Sequence, residues 1–394
     1  MAGVLTLEAL QAAHGDSLIL HYGPLSKPRF IVIDGGPKGI FKASLGPRLK
    51  QIQAARGGGT LEIRMVMVSH IDSDHIVGVL ELTKMLRDLK DSNVPLPYEI
   101  LTLWHNSFDD IASKVNASVG AQISAAQLLA SSKPKTADGA AIVASVAQGR
   151  QLRLDADALG LNMNSGFEDL LLFEKPAGKT AAPLNMGAEL RFTVLGPRKA
   201  ELDALNKKWD AEVKVLLAKK GKKKGAGGES ELSAADLQAL AADFVDKSIH
   251  NLSSVVVLAE FDGKRILLTG DARGDFVLES LREAKLLKNG KIAVDIFKVP
   301  HHGSIRNAAP ELFEVVVADH YVFSANGRDG NPDPPTFDLI FKARPKGKYH
   351  LWLTNDVAPA VANIKRKKPT GVTLHLRKPA DLSVLIELGS PITW

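Results

Sequence analysis

The sequence predicts a mixed α/β protein whose strands bring polar side chains to one shared site. An unbroken apolar run at residues 65–68 is typical of a strand buried on both faces. It leads directly into four potential metal ligands, His70, Asp72, Asp74 and His75. The same pattern, a buried strand that ends in Gly with Asp or His, returns along the chain. Open α/β sheets place their sites at the carboxyl ends of strands, so we expect a functional site there.

The composition is that of an ordinary globular protein. The chain has 394 residues, of which 45% are hydrophobic and 24% are charged, enough for one large α/β domain or two smaller ones. Because Cys is absent, disulfides, thiolate zinc sites and cysteine nucleophiles are excluded. No apolar stretch reaches the ~18 residues of a membrane span, and the N-terminus lacks the features of a secretory signal. We therefore expect a cytoplasmic protein with no membrane partner.

Much of the positive charge lies in one lysine-rich segment. The net charge of +6 favours a polyanionic partner such as a nucleic acid or a nucleotide, but residues 219–228 contribute a large share of it. This segment cannot pack a core, so a solvated insertion is expected. Contact with a phosphate backbone is the alternative interpretation.

The first third of the chain alternates short strands with helices. Strands are expected at 4–10, 18–22, 30–33 and 65–68, and helices at 41–55 and 79–90. The third strand ends at Asp34-Gly35-Gly36, where the glycines permit a tight turn. Asp34 either caps this turn or supports a nearby site as an outer carboxylate, and the sequence favours neither interpretation.

The segment after the central helix contains one candidate site residue. A strand at 100–104 ends at His105, so this histidine can face the predicted site. We expect it to be a hydrogen-bonded structural residue or a substrate-side residue rather than a metal ligand. Residues 111–161 are rich in Ala, Leu, Gln and Ser and are expected to be helical.

The second half of the chain repeats the strand-rich pattern. Strands are expected at 190–195, 251–261, 265–269, 294–299 and 321–324, with a hairpin turn at 262–264. The third of these leads to Asp271, and the fourth leads to His301 and His302. Because several strand ends carry such residues, we expect them to converge on a single polar site.

Together these motifs resemble those of the metallo-β-lactamase superfamily. The segments that carry the resemblance are His70-Ile-Asp-Ser-Asp-His75, Leu268-Thr-Gly-Asp271 and Val299-Pro-His-His-Gly-Ser304, with Gly15-Asp16-Ser17 and Asp34-Gly35-Gly36. They are most similar to the hydrolase domain of bacterial competence DNA-uptake proteins and run from about residue 4 to about 355. The resemblance implies an αββα four-layer sandwich in a single domain, residues 1–394. Its repeat halves would be about 1–110 and 187–394, with a helical insertion at about 111–175 and a lysine-rich insertion at about 199–249.

The resemblance also implies a site for two divalent metal ions. Carried over by position, His70 and Asp72 would hold one ion, Asp74, His75 and His302 the other, and Asp271 would bridge the two. His301 would lie beside the ligands or contact substrate. Asp34 would support them from outside.

Departures from the superfamily pattern bear on the choice of metal. Asp72 stands where His is commoner, Asn251 lies where a further His ligand is usual, and Asn331-Pro332 replaces the His-Pro of the competence type. Oxygen ligands in place of imidazole favour harder cations. The ligand set therefore favours manganese or iron over zinc, although it does not exclude zinc.

Such a centre would activate a shared hydroxide and hold the oxygens of the attacked group. This chemistry suits phosphodiesters, and with Asp74 fixing the metal, His105 or His301 could protonate the leaving group. Ser304, Arg306 and Asn251 are the candidates for substrate binding. Arg306 is equally well interpreted as an ordinary surface charge.

The leading hypothesis is a metal-dependent phosphodiesterase or nuclease acting on DNA, RNA or a small nucleotide. One alternative is hydrolysis of an ester, thioester or lactone by the same centre. Another is a catalytically weak, metal-stabilised nucleic-acid-binding protein. A β-lactamase proper is not expected, because of Asp72 and the large insertions. The sequence predicts no oligomeric state.

Overall fold

Two large mixed β-sheets, each with antiparallel strands at one end and parallel strands at the other, form the frame of the protein. The computed structural model describes residues 3–106, 137–168, 170–199 and 254–392, with no side chains for 137–146. The predicted substrate residue Asn251 and nearly all of the predicted lysine-rich insertion lie outside these ranges.

Seven strands form the first sheet. They are β1 (Val4–Leu10), β2 (Leu18–Gly23), β3 (Arg29–Ile33), β5 (Met65–Met67), β7 (Thr102–Trp104), β8 (Asn162–Met163) and β17 (Ser383–Glu387), while β4 (Leu61–Ile63) and β6 (Tyr98–Ile100) form a separate pair. The spatial order is β17-β1-β2-β3-β5-β7-β8. Pairing is antiparallel from β17 to β3 and parallel from β3 to β8.

Eight strands form the second sheet. They are β9 (Leu184–Gly187), β10 (Leu190–Gly196), β11 (Val256–Phe261), β12 (Lys264–Leu268), β13 (Ile292–Lys298), β14 (Val316–Phe323), β15 (Tyr349–Leu353) and β16 (Val372–Leu376). They lie side by side in chain order. Pairing is antiparallel from β9 to β12 and parallel from β12 to β16.

Seven helices are described in these ranges. They are α1 (Gly46–Ala55), α2 (Ser73–Asp91), α3 (Ala137–Leu159), α4 (Gly274–Glu283), α5 (Pro310–Val315), α6 (Pro334–Ala343) and α7 (Ala358–Lys367). A π-helical turn, Phe41–Leu45, precedes α1, and a 3₁₀ turn, Pro300–Gly303, follows β13. Within the described ranges, none of the helices combines the length and apolarity that a membrane crossing requires.

The central strands of each sheet are buried on both faces. Leu7 and Ile31 of the first sheet pack in one apolar cluster with Val257 of the second, so a core lies between the sheets. The opposite face of the first sheet packs against α1, α2 and α3, and the opposite face of the second packs against α4 to α7. This burial explains the continuous apolar runs in the sequence. The protein is therefore a mixed α/β protein.

Most predicted strands are confirmed to within two or three residues, but two predictions of local structure are wrong. Helix α2 begins at Ser73 rather than near residue 79, so Asp74 and His75 lie in its first turn and Gly78 lies inside it. The predicted strand at 100–104 is divided between β6 and β7, which belong to different sheets. Helix α3 lies within the predicted helical insertion, whereas the division into two repeat halves stays a prediction.

Candidate metal centre

Several strands of both sheets end at one place. Asp34 follows β3 and His70 follows β5 in the first sheet, while Asp271 follows β12 and His302 follows β13 in the second. Their side chains are all buried. The contacts below show that these four residues lie together, so the two sheets contribute to a single site.

Helix α2 is held against the end of β3 by two glycines. The Gly35 N–H donates to the carbonyl oxygen of His75 at 2.7 Å, and the Gly78 N–H donates to that of Gly36 at 2.9 Å. A Cβ atom on Gly78 would lie 1.9 Å from the Gly35 oxygen. The crossing therefore needs glycine at both positions, and it places Asp74 and His75 at the end of the sheet.

Asp34 fixes the orientation of His75. Its Oδ2 accepts hydrogen bonds from His75 Nδ1 at 2.9 Å and from Ser69 Oγ at 2.7 Å, and its Oδ1 accepts one from the Ser69 N–H at 2.7 Å. Because Nδ1 is engaged, His75 turns Nε2 towards the centre of the site. This geometry favours the interpretation of Asp34 as an outer carboxylate over that of a turn cap.

Asp271 lies at the middle of the group. Its Oδ1 is 3.4 Å from His75 Nε2, and its Oδ2 is 3.6 Å from both His70 Nε2 and His302 Nε2. One carboxylate thus faces histidines on two sides. The Asp271 N–H contacts Ser254 Oγ at 3.2 Å, which helps to fix its backbone.

The remaining predicted ligands flank Asp271. On one side, His70 Nε2 lies 3.5 Å from Asp72 Oδ2. On the other, His302 Nε2 lies 3.3 Å from both Asp74 Oδ2 and His75 Nε2. The His302 Nδ1–H donates to the carbonyl oxygen of Ser324 at 2.9 Å, so that Nε2 faces the ligands. All six predicted metal ligands are therefore brought together.

The turn that carries His302 has an unusual backbone. His301 and His302 have φ values of 48° and 55°, both in the left-handed region, and Gly303 follows at 87°. Non-glycine residues with this conformation are strained and concentrate at functional sites. A Cβ on Gly303 would lie 2.7 Å from the Phe323 ring, so the turn is also packed tightly.

His301 lies at the mouth of the group. Its side chain is 40% exposed, and Nε2 is 3.7 Å from Asp271 Oδ2. The His301 Nδ1–H donates to Asn307 Oδ1 at 2.8 Å, and Asn307 Nδ2 donates to the Asp271 carbonyl oxygen at 3.0 Å. Asn307 therefore positions His301, and no sequence motif identifies Asn307 as a site residue.

Asp16 also lies within this group, although its sequence pattern did not predict a site residue there. Ligand atoms of Asp16, His75, Asp271 and His302 all lie within 4.8 Å of one another. Asp16 Oδ2 is 2.7 Å from Lys298 Nζ, and its Oδ1 is 3.4 Å from His302 Nδ1. Its only sequence signal is the Gly15-Asp16-Ser17 turn.

The donor set fits divalent cations. Among the described residues, His70 Nε2 and Asp271 Oδ1 are buried atoms without a hydrogen-bond partner, although each faces the group. Burial disfavours charge on His302, yet the carboxylates of Asp271 and Asp16 outweigh it and raise the pKa of His302 to about 10. Burial also disfavours charge on His75. The neighbouring carboxylates, with Asp271 the strongest, nevertheless raise the pKa of His75 well above its usual value. The carboxylates therefore attract positive charge, which protons or metal ions can supply.

Four other predicted site residues are placed differently. His105 is fully buried next to Gly149, burial lowers its pKa to about 4, and no described hydrogen bond or ion pair joins it to the ligands. Ser304 is buried and its N–H donates to the His301 oxygen at 2.8 Å, whereas Arg306 is exposed. Asn251 lies outside the described residues. The functional roles of all four stay predictions.

The comparisons with known proteins give little further information. Comparison of the sequence with protein-family models and with curated proteins finds no match. Among solved structures, the chain is similar to the metallo-β-lactamase-fold protein YhfI from Bacillus subtilis, with a TM-score of 0.41 and 10% identity, over 97% of this chain and 99% of that one. A similarity at this level carries no functional argument.

Proposed function

We propose that this protein is a metal-dependent hydrolase of the metallo-β-lactamase type that cleaves phosphodiesters. One observation carries the proposal: the Asp271 carboxylate lies between the two ligand groups, with Oδ2 3.6 Å from both His70 and His302 and Oδ1 3.4 Å from His75. A carboxylate that serves two ions needs this placement between two ligand groups. The helix-covered sheets, with a core between them, also fit an αββα four-layer sandwich.

The proposal includes ligands for two ions. His70 and Asp72 would hold one, Asp74, His75 and His302 would hold the other, and Asp271 would be shared. Divalent ions bound there would lower the pKa of water and polarise the oxygens of a phosphoryl group. Three carboxylates among six ligands favour manganese or zinc over softer metals.

The mouth of the site contains a histidine that can carry a proton. His301 is the one ring of the group that is substantially exposed, and its hydrogen bond to Asn307 leaves Nε2 directed towards Asp271. This atom can hold a proton for a leaving group. Of the ligands behind it, His70, His75 and His302 are buried.

Cationic groups near the mouth support a phosphate-containing substrate. Arg328 Nη1 lies 3.1 Å from His14 Nε2, and His14 is within electrostatic range of Asp74 and His302. Arg306 is exposed four residues after His302. Guanidinium groups bind phosphate oxygens in a planar, two-point manner. These groups, the carboxylate-rich ligand set and the competence-type motifs together favour a phosphodiester over an uncharged ester.

Turnover measurements on defined substrates test the proposal. The purified protein would be assayed on bis-p-nitrophenyl phosphate and on labelled DNA and RNA, with Mn²⁺ and Zn²⁺ supplied separately. We expect hydrolysis that requires metal and is lost in Asp271→Asn. Asp338→Asn is the matched control, because Asp338 is an exposed carboxylate paired with Lys367 outside the site, and it should retain full activity.

The possible outcomes separate the candidate functions. Metal binding without hydrolysis of any phosphodiester would refute the phosphodiesterase proposal. Hydrolysis of p-nitrophenyl acetate or of a lactone by that metal-loaded protein would then identify the ester alternative. A wild-type protein that binds neither metal would refute the hydrolase proposal as a whole.

A further inference from the structure

A buried lysine lies directly behind the metal centre. Lys298 is the last residue of β13 and is only 1% exposed, the sole lysine among the buried residues that the structure describes. Its Nζ lies 2.7 Å from Asp16 Oδ2 and donates to the Val299 carbonyl oxygen at 3.3 Å. Burying an ammonium group is costly unless it is paired, so this pair is a specific feature of the site.

The partner of this lysine lies within reach of the predicted ligands. Ligand atoms of Asp16 lie within 4.8 Å of those of His75, Asp271 and His302. Both of its oxygens nevertheless have other neighbours. Oδ2 is held by Lys298, and Oδ1 faces Nδ1 of His302 at 3.4 Å, the nitrogen on the far side of that ring from Asp74 and His75.

The backbone keeps Asp16 in place independently of Lys298. The Asp16 N–H lies 3.2 Å from the carbonyl oxygen of Asp74, and Ser324 Oγ donates to the Gly15 oxygen at 2.7 Å. A Cβ on Gly15 would lie 1.8 Å from the Asp74 oxygen, which shows how closely the turn is pressed against the ligand segment. Removal of Lys298 would therefore free the carboxylate of Asp16 without moving its backbone away.

We infer that Lys298 withholds Asp16 from the metal centre and makes it a positioning residue for His302 instead of a ligand. Catalytic metal sites keep one coordination position open for water or substrate. With Asp16 added to Asp74 and Asp271, one ion would have three carboxylates and that position would be filled. The lysine thus keeps the centre open. This inference rests on the metal centre of the proposed function but not on the substrate.

Cobalt(II) provides a direct readout of the number of ligands. Its visible absorption weakens as its coordination number rises, and its geometry reports the ligand set. The wild type, Lys298→Met, Asp16→Asn and the Asp16→Asn/Lys298→Met double variant would be titrated with Co²⁺, and affinities measured by competition with a chelator. Folding would be followed by circular dichroism throughout.

We expect Lys298→Met to weaken the Co²⁺ absorption per bound ion, because Asp16 becomes a ligand. The double variant should recover the wild-type spectrum, since it has no free carboxylate. Asp16→Asn should keep that spectrum but bind Co²⁺ about tenfold more weakly, because outer partners of a ligand typically contribute 10–100-fold in affinity. A purely structural ion pair would give the wild-type spectrum in every folded variant.

Three results would overturn the inference. One is an unchanged spectrum in folded Lys298→Met. Another is a double variant that keeps the altered spectrum of Lys298→Met. A third, which does not depend on the folding of Lys298→Met, is a Co²⁺ spectrum of folded Asp16→Asn that differs from that of the wild type, because it would show that Asp16 is already a ligand. A wild type that binds no Co²⁺ would instead refute the metal centre itself.

Discussion

Substitution of Gly78 by Ala tests whether the crossing of α2 and the end of β3 sets the geometry of the metal centre. By helix propensity alone, Ala is preferred to Gly by about 1 kcal/mol inside a helix. The structure predicts the opposite effect. A Cβ on Gly78 would lie 1.9 Å from the Gly35 oxygen and 2.6 Å from its carbonyl carbon, and both atoms belong to backbone that has no rotamer to change.

The size of the effect follows from this distance. Non-bonded atoms do not approach a Cβ closer than 3.0 Å, so α2 must move by about 1 Å, twice the tolerance of about 0.5 Å for a functional constellation. Asp74 and His75 lie in the first turn of α2 and would move with it. We expect a loss of about 1–3 kcal/mol in the free energy of unfolding and a 10–100-fold loss of metal affinity, about 1.4–2.7 kcal/mol.

Competition with a chelator measures the affinity for Mn²⁺ or Zn²⁺, and thermal unfolding of the metal-free protein measures stability. Lys84→Ala is the matched control, because this residue lies on the exposed side of the same helix, paired with Asp88. It should leave the metal affinity unchanged. Gly78→Ala with the metal affinity of the wild type would refute this prediction. A variant more stable than the wild type, as helix propensity alone predicts, would also refute it.

Three further predictions concern single side chains. Asp34→Asn keeps one oxygen for the Ser69 N–H but places an amide NH₂ group where Oδ2 accepts from His75 Nδ1. It should weaken metal binding about 10–100-fold while the circular dichroism spectrum is unchanged; equal affinity would contradict the role of Asp34. In the metal-free protein the pKa of His302 is raised to about 10, against about 6.5 when unfolded, so its stabilisation is complete below pH 6.5 and is lost as the pH rises towards 10. The melting temperature of the metal-free protein should fall over that interval, and less so in His302→Gln; a flat profile in the wild type would refute this. Because His105 is buried and burial lowers its pKa to about 4, His105→Gln should lower stability by about 1–3 kcal/mol with turnover nearly unchanged. A collapse of turnover in the folded variant would instead support a catalytic role for His105.

The parts of the structure that local patterns determine could be predicted. Buried parallel strands appear as apolar runs, and the residues that follow them must lie at the carboxyl edge of a sheet. This reasoning located His70 and Asp271 at one site, although 201 positions separate them in the sequence. The central strand and the strands before and after Asp271 were found for the same reason.

The missed features depend on contacts between distant segments. The predicted helix at 79–90 left out Gly78, whereas this glycine lies inside α2 and admits the Gly35 backbone. Lys298 gave no signal, since a lysine at the end of an apolar strand normally points into solvent. The final strand, β17, was also missed: it pairs with β1 across the whole length of the chain, with Glu387 opposite Thr6, and no local pattern indicates so distant a partner.

The way in which the ligands are divided between the sheets suggests what holds this site in shape. His70, Asp72, Asp74 and His75 follow strands of the first sheet, while Asp271 and His302 follow strands of the second, so neither sheet alone supplies a complete set. The sheets are joined below the site by an apolar core, and at the site by the carboxylates among the histidines. Ions bound there would be held by ligands from both sheets and would connect the two sheets. Because this binding needs the folded state, it would add to the stability of the folded protein. The complete set of ligands therefore exists only after the two sheets have packed against each other.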